Sequence, residues 1–165
     1  MTTVPELAEQ FLASSVIAVV GVSDRKQTPA NAVYEKLRAQ GRTVVPVNPR
    51  LDRFKEEPCY RDLLSVPGPV EAVFIAAKAT VSEQMADQCI ARNVRHVWMH
   101  DMTGTRPKVK HSPLSSVSHP AAERCRAAGI SVIAGACPMM FLAPVDGFHA
   151  CWKWLLNAAG RLRTA

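Results

Sequence analysis

Two short segments carry the residue types from which a phosphate site is made. Residues 16–24 read Val-Ile-Ala-Val-Val-Gly-Val-Ser-Asp, an apolar and mostly β-branched run entering a glycine turn. Gly21 permits a tight turn and close backbone approach. Amides at Val22, Ser23 and Asp24, and at the helix start beyond Thr28 and Pro29, can face an anion with the helix dipole behind them. Ser23 adds a hydroxyl donor. The segment falls short of the full GxGxxG pattern, because Ser23 and Lys26 stand where the second and third glycines would be. A plain strand-to-helix turn is the other reading. Residues 43–50 read Thr-Val-Val-Pro-Val-Asn-Pro-Arg. An acid at the end of this second strand would grip the free ribose hydroxyls of NAD. Asn48, Pro49 and Arg50 stand there instead, and Asp52 is too far along for that role. Asn48 can hydrogen-bond an adenosine or its own turn. Arg50, with Arg53 and Lys55 nearby, can pair with a phosphomonoester. The charge disfavours NAD and leaves NADP, with its 2′-phosphate, and coenzyme A, with its 3′-phosphate. A solvated basic loop is the plain alternative.

Other reactive side chains fall near strand ends: His100, Asp101, Cys137 and His149. His100 and Asp101 are adjacent on an extended chain and point to opposite faces, so they do not form a base with its acid. Cys137 precedes Pro138, and it reads either as inert packing or as a thiol placed to form a mixed disulfide with a bound thiol. His149 begins a helix, where capping accounts for it. No nucleophile, base and orienting group assemble into a catalytic set. The five cysteines are odd in number and none are spaced as CxxC. No metal site is expected, and a reducing cytoplasm suits this cysteine usage.

The elements that must position these residues alternate between strand and helix patterns. Apolar runs at 16–20, 44–47, 72–77, 96–99 and 130–134 read as strands. Helices are expected at about 5–14, 30–40, 80–92, 120–128 and 147–160, with a short one at 60–65. Strands that are apolar throughout are buried on both faces, which indicates a parallel sheet. Strand starts recur after roughly 25–35 residues, the size of a βαβ unit. The expectation is one α/β domain over residues 1–165, a doubly wound parallel five-stranded sheet in the order 3-2-1-4-5 with helices on both faces. Ligands of such sheets bind beyond the carboxyl ends of the strands. Those ends hold Gly21–Pro29, Asn48–Lys55, Ala76–Thr80, His100–Thr105 and Gly135–Met140. Residues 100–117 form a long loop, read as a flexible insertion or a lid. The last helix carries Phe148, Cys151, Trp152, Leu155, Leu156 and Ala159 on one stripe, which either packs on the domain's own sheet or forms a homodimer seam.

At 165 residues, 48% hydrophobic and 21% charged, the chain has the composition of a globular domain with a real core. The net charge of +6 is spread over several clusters, and only Phe54 interleaves with them. No nucleic-acid module is recognisable, and a small polyanionic ligand explains the charge more economically. The apolar runs are too short to span a bilayer, and the first fourteen residues read as an amphipathic helix, not a signal peptide.

The order of motifs is more specific than any one of them. Ile-Ala-Val-Val-Gly-Val-Ser-Asp is followed by Thr-Pro-Ala-Asn-Ala-Val, then Val-Val-Pro-Val-Asn-Pro, then Cys-Tyr-Arg-Asp-Leu. His-Val-Trp-Met at 96–99 and Ala-Gly-Ile-Ser-Val-Ile-Ala-Gly-Ala-Cys-Pro-Met-Met-Phe at 128–141 extend the series. Over residues 14–142 this resembles the small stand-alone CoA-binding proteins, which are similar to the nucleotide domain of the succinyl-CoA synthetase α subunit. The resemblance implies a Rossmann-like fold binding coenzyme A. It implies that Gly21–Asp24 meets the pyrophosphate or pantetheine, and that Asn48, Pro49 and Arg50 meet the 3′-phosphate end. It further implies that Ala76, Ala77 and Lys78 line the adenine or the pantetheine arm, with His100 at the next strand end. The chain departs from the family pattern in its longer 100–117 loop and its extended last helix. The synthetases also need a second domain with a phosphorylatable histidine, for which 165 residues leave no room. The expectation is a binding module for coenzyme A or an acyl-CoA, more a binder than an enzyme. The alternatives are an NADP-dependent oxidoreductase and an interaction subunit with a vestigial nucleotide site.

Overall fold

The computed structural model describes residues 3–106 and 111–163. Helix α1 (Val4–Leu12) opens on a capping box, in which Thr3 Oγ1 accepts from the Glu6 amide and the Glu6 carboxylate accepts from the Thr3 amide. It leads into β1 (Val16–Val20), then α2 (Pro29–Ala39) and β2 (Thr43–Val47). A two-residue hairpin, β3 (Arg53–Phe54) with β4 (Glu57–Pro58), turns through Lys55 at φ 50°. Then follow β5 (Ala72–Ile75), α3 (Ala79–Ala91), β6 (His96–Met99), α4 (His119–Ala127), β7 (Ser131–Ala134) and α5 (Gly147–Ala158). Among the described residues no helix is long and apolar enough to cross a membrane.

Five strands form one parallel sheet in the spatial order β2-β1-β5-β6-β7. The sheet is buried on both sides, as its unbroken apolar strands predict. Ile17, Val19, Phe74, Trp98 and Ile133 face a core closed by α1, α2 and Leu156 of α5. Ala18, Val20, Val73, Ile75, Val97, Met99 and Val132 face a second core closed by α3 and α4. The place outside β2 is held by Tyr60 alone. Its amide donates to Pro46 O at 3.0 Å, and its carbonyl accepts from Asn48 N at 2.9 Å, in a parallel bridge. With Tyr60 counted third along the chain, the sheet reads 3-2-1-4-5 with β7 after it. The apolar run at 72–75, read as the third strand, lies on the other side of β1.

The expected short helix at 60–65 is a series of bends and turns. Tyr60 is held extended by β2. Asp62 and Ser65 then bond each other's backbone, with Ser65 N donating to Asp62 Oδ1 at 2.8 Å and Ser65 Oγ to Asp62 O at 2.9 Å. Such side chains compete with the helical ladder.

Candidate functional site

The carboxyl ends of the strands follow one another along a ledge as Asn48, Gly21, Ala76, His100 and Gly135. With strands roughly 4.8 Å apart, four steps span roughly 19 Å.

At one end lies the β1–α2 turn. Gly21 has φ 104°, and a Cβ on it would lie 2.3 Å from the Ala76 carbonyl oxygen. The glycine is therefore required by the close passage of the β5 exit, whatever ligand sits above. The turn is braced from inside by Asn31, a buried residue that the sequence reading had not singled out. Its Oδ1 accepts from Ser23 N at 2.8 Å, and its Nδ2 donates to Ser23 O at 2.8 Å and Lys26 O at 3.3 Å. Thr28 caps α2, accepting from Asn31 N at 3.1 Å, and Pro29 is the first helical residue. The signal in the sequence was a polar residue three places after a cap, on a helix face otherwise made of Ala30, Val33, Tyr34 and Leu37. Among the described residues, the amides of Val22 and Asp24 have no protein acceptor.

Asn48 joins the second loop to the first. Its Nδ2 donates to Val22 O at 2.7 Å and its Oδ1 accepts from Arg50 N at 2.8 Å. Of its two expected roles, the structure shows the one toward its own turn. Arg50 lines a cleft of about 150 Å³ with Ser23, Asp24, Arg25, Asn48 and Leu51. A neighbouring cleft of about 420 Å³ shares Ser23–Arg25 and adds Lys26, Gln27 and Lys55. The three expected cations divide. Lys55 is paired with Glu35 at 2.6 Å, and Arg53 donates to the Glu56 carbonyl. Arg50 and Arg25 remain beside the turn, the latter unforeseen.

In the middle of the ledge, Ala76 N donates to Val20 O, and Ala77 N donates to Ser116 Oγ at 3.0 Å. Lys78 caps α3 without a side-chain bond. Ser116 is fully buried, and its carbonyl accepts from Ser82 Oγ at 2.5 Å. The far limb of the long loop thus rests on the strand end that Ala76, Ala77 and Lys78 were read to offer a ligand.

The near limb of that loop is also pinned. Thr105 N donates to Arg161 O at 2.8 Å, and Trp152 Nε1 donates to Met102 O at 2.7 Å. Asp101 is buried and accepts from Thr103 N at 2.7 Å, Thr103 Oγ1 at 2.8 Å and His111 Nδ1 at 3.1 Å. Burial works to raise its pKa, but hydrogen bonds from Ser115 and Thr103, with His111 beside it, hold it below the usual value. Asp101 therefore ties residues 101–103 to His111, and it makes no hydrogen bond to His100. Residues 107–110 of this loop, read as an insertion or a lid, lie outside the described residues.

At the other end of the ledge, His100 lies edge-on to Phe74, with ring centroids 6.0 Å apart. Burial, aided by His149 and opposed by Asp101, pushes its pKa down to about 4, so the ring is neutral near pH 7. Cys137 is 3% exposed. Burial pushes its thiol up to about 11, against the Met139 amide, with Asp146 adding to the rise. Cys137 is thus a protonated packing residue. Asp146 caps α5, accepting from His149 N at 3.0 Å, and its second oxygen lies 2.6 Å from His149 Nδ1. Among the described residues, no three His, Cys, Asp or Glu side chains gather as metal ligands.

Helix α5 packs through Leu156 and half-buried Trp152, while Phe148, Trp154 and Leu155 are 64%, 68% and 44% exposed. Cys151 is exposed on the same arc.

Comparison with known proteins gives a consistent picture. A family model described as CoA binding domain matches residues 15–143. An ADP-forming acetate–CoA ligase II of Archaeoglobus fulgidus is 30% identical over 95 residues, which are 56% of this chain and 14% of that protein. The uncharacterized protein YneT of Bacillus subtilis is 26% identical over 93 residues, 56% of this chain and 69% of that one. Among solved structures, a hypothetical protein from Pyrococcus horikoshii OT3 superposes with a TM-score of 0.73 at 24% identity, covering 87% of this chain and 92% of that chain. A dinucleotide-forming acetyl-coenzyme A synthetase 1 of Ca. Korarchaeum cryptofilum, in complex with phosphate and ADP, gives a TM-score of 0.61 at 24% identity. There the match covers 78% of this chain but 27% of the synthetase. The chain thus spans about a seventh of the curated ligases it matches.

Proposed function

The chain belongs to the CoA-binding domain family, and from that premise we propose that it binds coenzyme A or an acyl-CoA along the strand-end ledge. The observation that carries the reading is the pair of joined loops at β1 and β2. Asn31 and Asn48 hold the Gly21–Asp24 turn against Asn48–Arg50, and a cleft lined by Arg25 and Arg50 opens between them. The pyrophosphate lies against the turn, with Ser23 and the free amides as donors. The adenosine 3′-phosphate pairs with Arg50. No complete reaction is proposed, because the ligases it resembles are about four times as long and supply further parts.

Calorimetry with coenzyme A and dephospho-coenzyme A tests this reading on wild type and Arg50→Glu. A charge-assisted contact is typically worth about 1.5–3 kcal/mol. The variant should therefore lose at least roughly tenfold in affinity for coenzyme A and little for the dephospho form. Equal losses would remove Arg50 from the 3′-phosphate. Binding of NADP with none of coenzyme A would replace the ligand.

A second observation favours self-association as well. The outer arc of α5 presents Phe148, Cys151, Trp154, Leu155 and Ala158 to solvent. The occupant we propose is a second copy of this chain, paired antiparallel about a two-fold axis near Cys151 and Trp152, so that Phe148 of one copy meets Leu155 of the other. A whole aromatic side chain contributes roughly 150–250 Å². The exposed parts of this arc from two copies therefore approach the roughly 1,000 Å² that a specific interface needs. Light scattering should show a concentration-dependent dimer that Trp154→Glu abolishes, and a monomer at all concentrations would exclude the seam.

A further inference from the structure

His100 follows β6 and Cys137 follows β7, while α5, which opens on Asp146 and His149, packs on the turn Pro138–Met140 and through Trp152 on Met102, so three segments converge at the β6–β7 end of the ledge. Asp146 stands near enough to Cys137 to help raise its thiol, and His149 near enough to His100 to help lower its ring. His149 is 19% exposed in its side chain, and its Nδ1 lies 2.6 Å from Asp146 Oδ2. With Nδ1–H donating to the carboxylate, Nε2 is left as the unprotonated nitrogen. Capping of α5 accounts for Asp146 Oδ1, which accepts from the His149 amide. It does not account for the second oxygen's bond to the ring. An imidazole oriented by a carboxylate, with its other nitrogen free, is the arrangement of a general base. The Phe148 ring lies edge-on to it, the neutral His100 with the Phe74 edge beside it and the protonated Cys137 thiol lie toward the ledge, and the one cation a turn further on, Lys153, is turned onto the Phe141 ring. Phosphate groups do not suit such surroundings, and a thiol does.

We propose that His149, held by Asp146, receives the proton of the coenzyme A thiol. This rests on the binding reading above. With the phosphates at β1 and β2, an extended ligand on a ledge of roughly 19 Å ends at β6 and β7. The S–H bond breaks and the proton passes to Nε2. The products are a thiolate and an imidazolium paired with the Asp146 carboxylate. No other bond changes, and no oxidant or reductant is needed.

The pH profile of alkylation of bound coenzyme A by iodoacetamide tests this, with the product measured by mass spectrometry. Calorimetry on the same samples establishes saturation, so that failure to bind coenzyme A at all overturns the binding reading and is seen separately. The midpoint of the profile reports thiolate formation independently of how easily the reagent enters. Bound to wild type, the midpoint should fall by about one pH unit or more below that of free coenzyme A. His149→Gln should return it to the free value. Asp146→Asn retains a helix cap while removing the carboxylate, and should return it part of the way. Equal midpoints in wild type and both variants would overturn the proposal. So would a bound thiol that reacts in none of them across the pH range.

Discussion

At the β1–β2 end of the ledge, neighbouring loops are stitched by two carboxamides, and the groups left over are cations and backbone amides. At the β6–β7 end the side chains come from His100, Cys137 and the start of α5, and apart from the Asp146 carboxylate, which is taken up by His149, they are uncharged. The first end is pre-organised by backbone bonds within some thirty residues, Gly21 to Arg50. The second depends on α5 returning across the sheet after more than forty residues, held by Trp152 on Met102 and by Thr105 on Arg161. Rigid donors suit a phosphate chain, whose charge demands fixed partners. A neutral, covered corner suits a group whose protonation is to change.

Breaking the first end should have the larger effect. Gly21→Ala places a Cβ against the Ala76 carbonyl at a φ of 104°. A loss of about 4 kcal/mol is expected from the strain and the overlap together, read as the urea midpoint. Asn31→Leu keeps the branched heavy-atom shape but orphans the Ser23 amide and two carbonyls. It should cost about 3 kcal/mol of stability by the same assay.

These two residues also mark where a linear reading succeeds and where it fails. The places of Gly21, Thr28 and Asn48 were legible because each stands at a strand end or a helix cap that the apolar runs mark, although the partners of Gly21 and Asn48, Ala76 and Val22, lie far along the chain. Asn31 was passed over because a buried polar residue on an apolar helix face has no meaning until the turn it fills is known. The alternation of strands and helices was legible from apolar runs, because strands buried on both faces cannot hide. The neighbour of each strand was not, since nothing in the periodicity of Ala72–Ile75 says whether it pairs with β2 or β1. The two-residue strands at Arg53–Phe54 and Glu57–Pro58 are too short to leave a pattern. The approach of α5 to the β6 end depends on the path of that helix, held by Trp152 on Met102, which no local spacing encodes.

The far end is sharpened by acid. His100 titrates near 6.5 when unfolded and about 4 when folded. Between those values the unfolded chain binds a proton that the native state declines, so stability falls as the pH falls. The loss should approach roughly 2–3 kcal/mol by pH 4, read from urea midpoints across that range. His100→Gln should flatten most of this slope. His96, also shifted down by burial, would supply a remainder of the same sign.

The smallest effect concerns Cys137 and decides whether the far end is closed. A pKa of about 11 and near-complete burial leave almost no thiolate at neutral pH. Cys151 lies in the open on α5. Incubation of the monomeric Trp154→Glu variant, in which the proposed seam does not cover Cys151, with oxidised coenzyme A at pH 7.5 should therefore add one adduct, which Cys151→Ser removes and Cys137→Ala leaves in place. An adduct on Cys137 would mean that α5 and the loop beneath it open on the time scale of the reaction. The uncharged corner would then be a passing arrangement, and the contrast with the carboxamide-stitched end would be one of mobility instead of chemistry.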